Sequence, residues 1–267
     1  MKHDISDTRR ERLLKMLAAA TFVIFFQAYM VAPIIPALSS TFGSSVQSVG
    51  LTVPAYLIPY GIATLAYGIL ADRIGIHRVM FASLAAFSAL TILTATAGSI
   101  EQLALWRIVT GIGASGVVPL ALTLVSRLYA YEQRGRPLGW LFGAMAGGMA
   151  IGSPLGAMLV PFIGWQGLFA VVGVAGAALL LTLLPYRSFI AGQVQSVTGT
   201  LRGLLHGYAD LLGTARGQRT YGFVLVNSMF HSGVFTWLGV YFEQKYHLGA
   251  AGIGLGTSAF PALRSGR

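Results

Sequence analysis

One arginine, Arg107, lies inside an apolar segment that is long enough to cross a membrane. A charged side chain at that depth is costly, and it usually faces a cavity, a partner or a transport pathway. A different interpretation is that Arg107 extends its side chain to the outer interface, because Glu101 and Gln102 mark the start of the segment shortly before it. We take recognition of a substrate or an ion as the hypothesis for Arg107.

Other polar residues inside apolar segments are candidates for the same pathway. Gln27 and Tyr29 lie in the first segment, and Asn227 and His231 lie in the seventh. Asn227 and His231 are four residues apart and share a helix face with Phe235, which would suit a substrate that has apolar and hydrogen-bonding parts. The alternative for His231 is a packing residue. No Asp or Glu lies inside a complete apolar segment, so a carboxylate proton carrier is missing from this part of the chain.

A hydrolytic centre is a different class of function, and one short pattern would fit it. The segment GASG, residues 113–116, matches the GxSG pattern of intramembrane serine proteases, with Ser115 as the nucleophile and His231 as its base. The chain has no cysteine, so thiol nucleophiles and cysteine metal sites are excluded, and we expect neither a metal nor a cofactor. A retinal protein is excluded because the seventh segment has no lysine for a Schiff base.

The composition is that of a membrane protein. Of the 267 residues, 55% are hydrophobic and 10% are charged, and the mean hydropathy is +0.71, which no soluble domain of this size shows. The net charge of +10 is spread over short connections between apolar runs, so it indicates membrane topology and not nucleic-acid binding.

About 20 apolar residues make one crossing, and the sequence predicts seven complete spans and the start of an eighth at Leu248. Spans one to seven are residues 17–39, 49–71, 79–96, 102–125, 138–161, 167–185 and 221–242. The basic residues of the connections fall almost entirely on one side, which predicts a cytoplasmic N-terminus. Prolines lie within spans one, two, four and five and predict interrupted helices there.

A charged hairpin, residues 68–78, lies between spans two and three. Gly68 and Asp72 would share one helix face, Gly75 permits the turn, and Arg73 and Arg78 flank it. A glycine one turn below a carboxylate lets another helix approach closely and offers its positive N-terminal end an anion. The pattern is therefore typical of a latch or gate.

The hairpin resembles the signature loop of the major facilitator superfamily, with Ile76 and His77 where the family usually has basic residues. Two further motifs are similar. In the fourth span, Arg107 is followed by Gly111 and Gly113 at the family's spacing, which favours the cavity hypothesis for Arg107. In the fifth span, a motif associated with antiporters is matched in part, and its small residues suit close helix packing. These residues are Gly148, Gly152, Pro154 and Gly156.

The resemblance implies an all-α membrane protein with a major-facilitator-type helical bundle. We expect a cytoplasmic tail (1–16), an N-terminal domain of two inverted three-span units (17–185), a cytoplasmic linker with an amphipathic helix (186–220), and an incomplete second domain (221–267) with span seven and part of span eight.

The implied function is secondary active transport of a small molecule by alternating access, as proton-coupled efflux across the inner membrane of the cell. The alternatives are the intramembrane protease and a non-transporting fragment of a twelve-span transporter. If the chain is really this short, a homodimer could replace the missing half, and a single copy is expected not to transport. The expected partners are the substrate, protons and the lipid bilayer.

Overall fold

A computed structural model describes residues 2–192, 210, 212–248, 252 and 253, and for residues 2–6, 231, 232, 235 and 236 it describes the backbone alone. This part of the chain is almost entirely helical and contains no strand. The helices are α1 (Lys2–Tyr29), α2 (Ile35–Phe42), α3 (Val46–Gly50), α4 (Pro54–Ile74), α5 (Ile76–Thr94), α6 (Ile100–Ala114), α7 (Val117–Leu128), α8 (Gly135–Leu183), α9 (Arg187–Gly192) and α10 (Ala215–Tyr246). The predicted all-α fold is confirmed.

Five helical stretches of the described chain are long and apolar enough to cross a membrane. They are Asp7–Phe42, Val46–Ile74, Ile76–Thr94, Ile100–Leu128 and Gly135–Gly192. The last of them contains the predicted spans five and six, and α10 contains the predicted span seven. The predicted amphipathic helix of the linker and most of the eighth span lie outside the described residues.

Three predicted spans are broken into two helices each. In span one, a short 3-10 helix (Ala32–Ile34) separates α1 from α2, because Pro33 has no N–H to continue the α-helical ladder. In span two, α4 restarts with Pro54 in its first turn, where a missing N–H costs nothing. In span four, the break at Ser115 and Gly116 precedes Pro119. The uninterrupted α5 contains no proline.

The helix α8 reverses direction at Gly164, whose φ of +68° and ψ of +167° are non-helical. Before this residue α8 follows α1 in parallel, since Gly148 contacts Phe22 and Gly156 contacts Met30. After it the chain runs back along the first span, with the ring of Trp165 tilted at 51° to that of Phe42. This second segment leads to Tyr186, whose ring lies under the guanidinium of Arg9. Spans five and six are therefore two antiparallel segments.

Glycines set the distance between α1 and the first half of α8. Gly148, Gly152 and Gly156 face successive turns of α1, and a Cβ atom at Gly152 would lie 2.8 Å from the carbonyl oxygen of Phe26. A Cβ atom at Gly148 would lie 2.6 Å from the carbonyl oxygen of Phe22, and one at Gly156 would lie 2.6 Å from that of Met30. Such contacts allow backbones to pack closely, which is how helices associate in lipid. The two helices therefore form one closely packed pair.

The helix α5 joins span four to span six. The hydroxyl of Ser83 donates a hydrogen bond to the carbonyl of Gly113 and accepts one from the N–H of Gly116 at 3.1 Å. The break between α6 and α7 is thus stabilised by a side chain from α5. On the other side of α5, Gly173 and Gly176 lie against the turn that contains Ser88.

A polar cluster ties the start of α1 to the α7–α8 connection. The guanidinium of Arg10 lies 4.4 Å from the ring centroid of Tyr129 and donates to the carbonyl of Leu128. Arg136 pairs with Glu11 at 2.9 Å. Burial, together with the nearby Glu11 carboxylate, raises the pKa of the Tyr129 phenol. These contacts place the ends of spans one, four and five together.

Candidate functional site: a buried arginine between three spans

The side chain of Arg107 is 0% exposed in the structure. Its Nε atom donates to the carbonyl of Thr52 at 3.1 Å, and one terminal nitrogen donates to the side-chain oxygen of Gln27 at 3.1 Å. The other terminal nitrogen lies 3.5 Å from the carbonyl of Ala28. The guanidinium carbon is 4.4 Å from the ring centroid of Tyr56. We call these five residues the Arg107 cluster.

The cluster connects three spans where two of them lose regular helical structure. Gln27 and Ala28 lie in the last turn of α1, and Thr52 lies in the turn between α3 and α4. The planar guanidinium supplies enough donors, in a fixed geometry, to reach acceptors on both elements at once. Gly111, one turn after Arg107, lies against the backbone of Tyr56, so α6 and α4 are in direct contact.

This geometry excludes the interpretation in which Arg107 extends to the membrane interface, because its donors are directed to groups inside the bundle. It also shows that the guanidinium is not paired with a carboxylate in the described chain. The acceptors around the guanidinium are neutral amide and carbonyl oxygens together with an aromatic ring. In this conformation the guanidinium is enclosed between helices and is not open to solvent.

Two polar atoms of the cluster have capacity left. The side-chain nitrogen of Gln27 and the hydroxyl of Tyr56 are buried without a hydrogen-bond partner among the described residues. The Gln27 oxygen is already used by Arg107, so its amide can still donate. Buried polar atoms without partners are unfavourable, typically by about 1–3 kcal/mol each. Each of these two atoms can therefore donate a further hydrogen bond.

The charged hairpin leaves the Gly68 face of α4 exposed within the described chain. Gly75 ends α4 with a φ of +96°, a value that favours glycine, and its N–H donates to the carbonyl of Ala71. Apart from its chain neighbours and the backbone of its own helix, no atom of the described chain lies within 4 Å of where a Cβ of Gly68 would be. Asp72 is half-buried, and within the described residues it pairs with neither Arg73 nor Arg78.

Residues 17–265 match the family model of the Major Facilitator Superfamily. The chain belongs to this superfamily. It is 30% identical over 190 residues to the methylenomycin A resistance protein of Bacillus subtilis, with 68% of this chain and 41% of that protein covered. It is 26% identical over 175 residues to MdtD of Klebsiella pneumoniae, which is named for multidrug resistance, with 64% of this chain and 37% of that protein covered. The chain thus spans about two fifths of the length of these curated relatives.

Solved structures of facilitators show the same fold. A bacterial homologue of the human lysosomal transporter Spinster, crystallised in an inward-facing and unoccupied conformation, matches with a TM-score of 0.76 at 16% identity. The match covers 94% of this chain and 60% of that one. A D-xylose–proton symporter matches with a TM-score of 0.66 at 14% identity, over 94% of this chain and 66% of that one. The major-facilitator-type helical bundle is confirmed.

Of the other predicted pathway residues of this facilitator, Gln27 bonds directly to Arg107 in the described chain. Tyr29 is the last residue of α1 and is half-buried. Asn227 is exposed on α10, and His231 follows one turn later on the same face, while its side chain lies outside the described residues. The structure therefore brings Gln27 to Arg107, but it does not bring Asn227 there. Roles for these residues in substrate recognition stay predictions.

Ser115 is packed within the facilitator fold, and no base contacts its hydroxyl among the described residues. It is 0% exposed at the break in span four, and its hydroxyl donates to the carbonyl of Ile112 at 2.8 Å. This is the usual local bond of a serine near a helix end. Neither this geometry nor the family supports the protease alternative.

Three features of the facilitator fold were missed by the sequence interpretation. Thr52 binds Arg107 through its backbone, so its residue type gives no signal. Ser83 looked like one more small residue of an apolar helix, although it bridges α5 to span four. Gly50 has the ring of Trp237 against it, across more than 180 residues of sequence. A search for small residues paired with aromatic ones could have suggested the last contact.

Proposed function

We propose that this chain belongs to a secondary active transporter that exports a small molecule by alternating access, with protons as the coupling ion. The observation that carries the proposal is the Arg107 cluster, a buried charge that joins three interrupted spans of a facilitator fold. A buried charge within a membrane bundle is retained at a cost, and such residues usually serve a pathway.

The interruptions matter because they leave parts of the backbone free to rearrange. Breaks at Pro33, at Pro54 and at Ser115 let the ends of spans one, two and four move while their other halves stay packed. In facilitator folds the substrate is held near the midplane, between helices that rock. Separation of spans one and four would open the guanidinium of Arg107 to that space, and Gln27 would move with it.

Export and proton coupling are supported by the relatives, not by a titratable carboxylate. Two relatives are named for drug resistance, and one solved neighbour is a proton symporter. No Asp or Glu lies inside the complete spans of this sequence. A guanidinium keeps its proton and the partners of Arg107 are neutral, so proton coupling would then act through acidic residues at the ends of spans.

The charged hairpin is proposed as the latch of the transporter. The open surface at Gly68 would receive the N-terminal end of another helix, and Asp72 would supply the anion for its positive dipole. Arg73 and Arg78 remain exposed and unpaired within the described chain, which suits a site at the phospholipid headgroups.

Membrane topology gives the first test of this proposal. We propose that the N-terminus and the charged hairpin are cytoplasmic and that the protein lies in the inner membrane. Gln47→Cys and Ser188→Cys place single thiols at exposed positions of a cysteine-free chain, near opposite ends of the bundle. An impermeant maleimide should label the thiol at position 47 in intact cells. It should label the thiol at position 188 only after permeabilisation. The reverse pattern contradicts the orientation.

Transport itself is tested in a bacterium that lacks its main drug exporters. Expression of the natural gene should raise the inhibitory concentration of at least one compound in a panel of uncharged and charged drugs. In everted vesicles the same compound should dissipate a preformed pH gradient. An Asp72→Asn variant provides the matched comparison, since it removes the proposed latch charge without changing shape. If no compound in the panel gives protection, export is contradicted. If a compound gives protection but does not dissipate the pH gradient, proton coupling is contradicted.

A further inference from the structure

The break in span four changes the hydrogen bonds of its backbone. In a continuous helix the N–H of Gly116 would donate to the carbonyl of Ile112. The carbonyl of Gly113 would likewise accept from the N–H of Val117. In the structure the Ile112 carbonyl accepts the N–H of Ser115 at 3.3 Å and the Ser115 hydroxyl at 2.8 Å. The acceptor that a regular helix would offer to Gly116 is therefore already in use.

A single hydroxyl from α5 serves the backbone at the break. The hydroxyl of Ser83 accepts from the N–H of Gly116 at 3.1 Å and donates to the carbonyl of Gly113. Ser83 is buried, with 1% of its surface exposed. A buried backbone group without a partner is unfavourable. The side chain of Ser83 therefore stabilises the bent form of span four inside the membrane.

Neighbouring residues also fit the bent form. A Cβ atom on Gly116 would overlap with the ring of Tyr67 in α4. Pro119 has no N–H for the carbonyl of Ser115, and its ring disfavours the helical position of that carbonyl. The hydroxyl of Thr64 lies 3.5 Å from this oxygen. Because Pro119 can never supply the missing bond, the helix is weak at the break in any shape of the span.

The N–H of Gly116 has two possible acceptors, and each belongs to a different shape of span four. With the Ser83 hydroxyl as acceptor the span is bent, as in the structure. With the Ile112 carbonyl as acceptor the span would continue as one helix, and Ser115 would release that carbonyl. An exchange between two discrete arrangements is what a conformational switch requires.

The shape of span four decides where Arg107 lies. Arg107 comes six residues before Gly113, which is about 9 Å along a helix that rises about 1.5 Å per residue. A change of about 20° in a kink at the break would move it sideways by about 3 Å. The bonds from Arg107 to Gln27 and Thr52 are 3.1 Å long, so neither would keep its geometry.

We propose that Ser83 is a positioning residue of the transporter. Its hydroxyl holds span four in the bent form through the backbone of Gly113 and Gly116, and thereby keeps Arg107 against spans one and two. For its effect on transport the inference rests on the proposed function. The bend itself is measured without transport, so the two proposals can fail separately.

The experiment measures the position of the N-terminal end of α6 in the full-length protein from its natural gene, reconstituted in lipid nanodiscs. Spin labels on Gln47→Cys and Glu101→Cys, both at exposed positions, report the distance from α3 to the start of α6. Any other cysteine is replaced by serine first. Labels on Gln47→Cys and Thr96→Cys form a reference pair, since Thr96 follows α5 and lies outside α6.

Ser83→Ala removes the acceptor of the bent form. Glu101 comes twelve residues before Gly113, about 18 Å along the helix, so a change of about 20° should shift the Gln47–Glu101 distance by up to about 6 Å. The reference pair should stay as in the parent protein. A straight helix would satisfy the backbone groups that Ser83 leaves, so the variant should fold.

Ser88→Ala is the matched control on the same helix. Ser88 is also buried, but its hydroxyl donates within α5, to the carbonyl of Leu84 at 2.8 Å. This variant should shift neither distance. Ser115→Ala tests the exchange while Ser83 stays in place. It removes a hydroxyl that competes for the Ile112 carbonyl, so we expect a smaller shift in the same direction as in Ser83→Ala.

In vesicles, Ser83→Ala should lower the maximal rate of transport at least fivefold, and Ser88→Ala should leave it unchanged. Parental distances in Ser83→Ala overturn the proposal. Equal shifts in Ser83→Ala and Ser88→Ala also overturn it, since they would mean a general loosening of α5. A parent protein without transport contradicts the proposed function alone, because the distances are measured without it.

Discussion

Replacing Arg107 with methionine is expected to abolish transport by the protein made from its natural gene, while the chain still inserts and folds. Methionine keeps much of the apolar stem and fills the space, but it removes every donor to Thr52 and Gln27. Each hydrogen bond lost inside the membrane costs about 0.6–2 kcal/mol. Removal of a buried charge returns about 2.5–3.5 kcal/mol on insertion scales. Stability should therefore change little.

The informative comparison is Arg107→Lys. Lysine keeps the charge but cannot reach the Thr52 carbonyl and the Gln27 side chain together, because it lacks the planar fork of donors. We expect transport at least about tenfold lower, which corresponds to a loss of about 1.4 kcal/mol. Thermal unfolding in detergent and uptake in vesicles are measured side by side. Full transport in both variants would reduce Arg107 to a packing residue.

The second large effect is expected at Gly152. A valine there would place its Cβ about 2.8 Å from the Phe26 carbonyl oxygen and 3.1 Å from Cα of Phe26. These are backbone atoms, so no side-chain rotation can relieve the overlap. Overpacking usually costs about 1–3 kcal/mol, and the rigidity of this contact should put Gly152→Val at the upper end or beyond. We expect α1 and α8 to separate and the folded fraction to fall sharply.

Gly143→Val is the matched control for this substitution. It lies in the same segment of α8, but no described atom of another helix is within 4 Å of its Cβ position. Valine also favours a helix slightly more than glycine does, so this variant should be as stable as the parent. Size-exclusion profiles and melting temperatures of the two variants decide the matter. Equal stability would show that the α1–α8 contact is looser than it appears in the structure.

The spans were predictable because lipid permits few alternatives. Apolar length alone gave their positions, and α5 begins at Ile76 where span three was predicted from residue 79. The proline-based prediction of breaks is confirmed in spans one and two and is wrong in span five, because α8 continues through Pro154 and Pro161. In span four the interruption falls at Ser115 and Gly116, just before the proline, because Ser83 supplies hydrogen bonds to that point.

The surroundings of Arg107 were not predictable to the same extent. The sequence identified Arg107 and Gln27 as polar residues at depth, but not that they bond to each other. Thr52 contributes a carbonyl oxygen, and any residue could supply it. Tyr56 contributes a ring face at 4.4 Å, and aromatic residues are too frequent in apolar spans to mark such a role. Pairings of this kind depend on how three spans are arranged in space.

The side of α10 that faces α4 shows a further limit of the sequence interpretation. Asn227 and His231 were chosen because they are polar, whereas the face directed at α4 presents Leu225, Met229 and Trp237. A helix that is apolar on most sides gives no periodic signal for its packed face. The orientation of α10 is fixed by the contact of Gly239 with Pro33 and by the packing of the Trp237 ring against Gly50.

The distance in sequence between Gln27 and Arg107 has a consequence for how the protein is made. Eighty residues separate the two partners, and ribosomes add roughly 5–20 residues per second, so Gln27 is synthesised about 4 to 16 s before Arg107 exists. During that interval span one carries the side chain of Gln27 into the bilayer before Arg107 is present to donate to its oxygen. We therefore expect span one to stay close to the site of insertion until span four arrives, because span four would otherwise enter the lipid with its arginine unpaired.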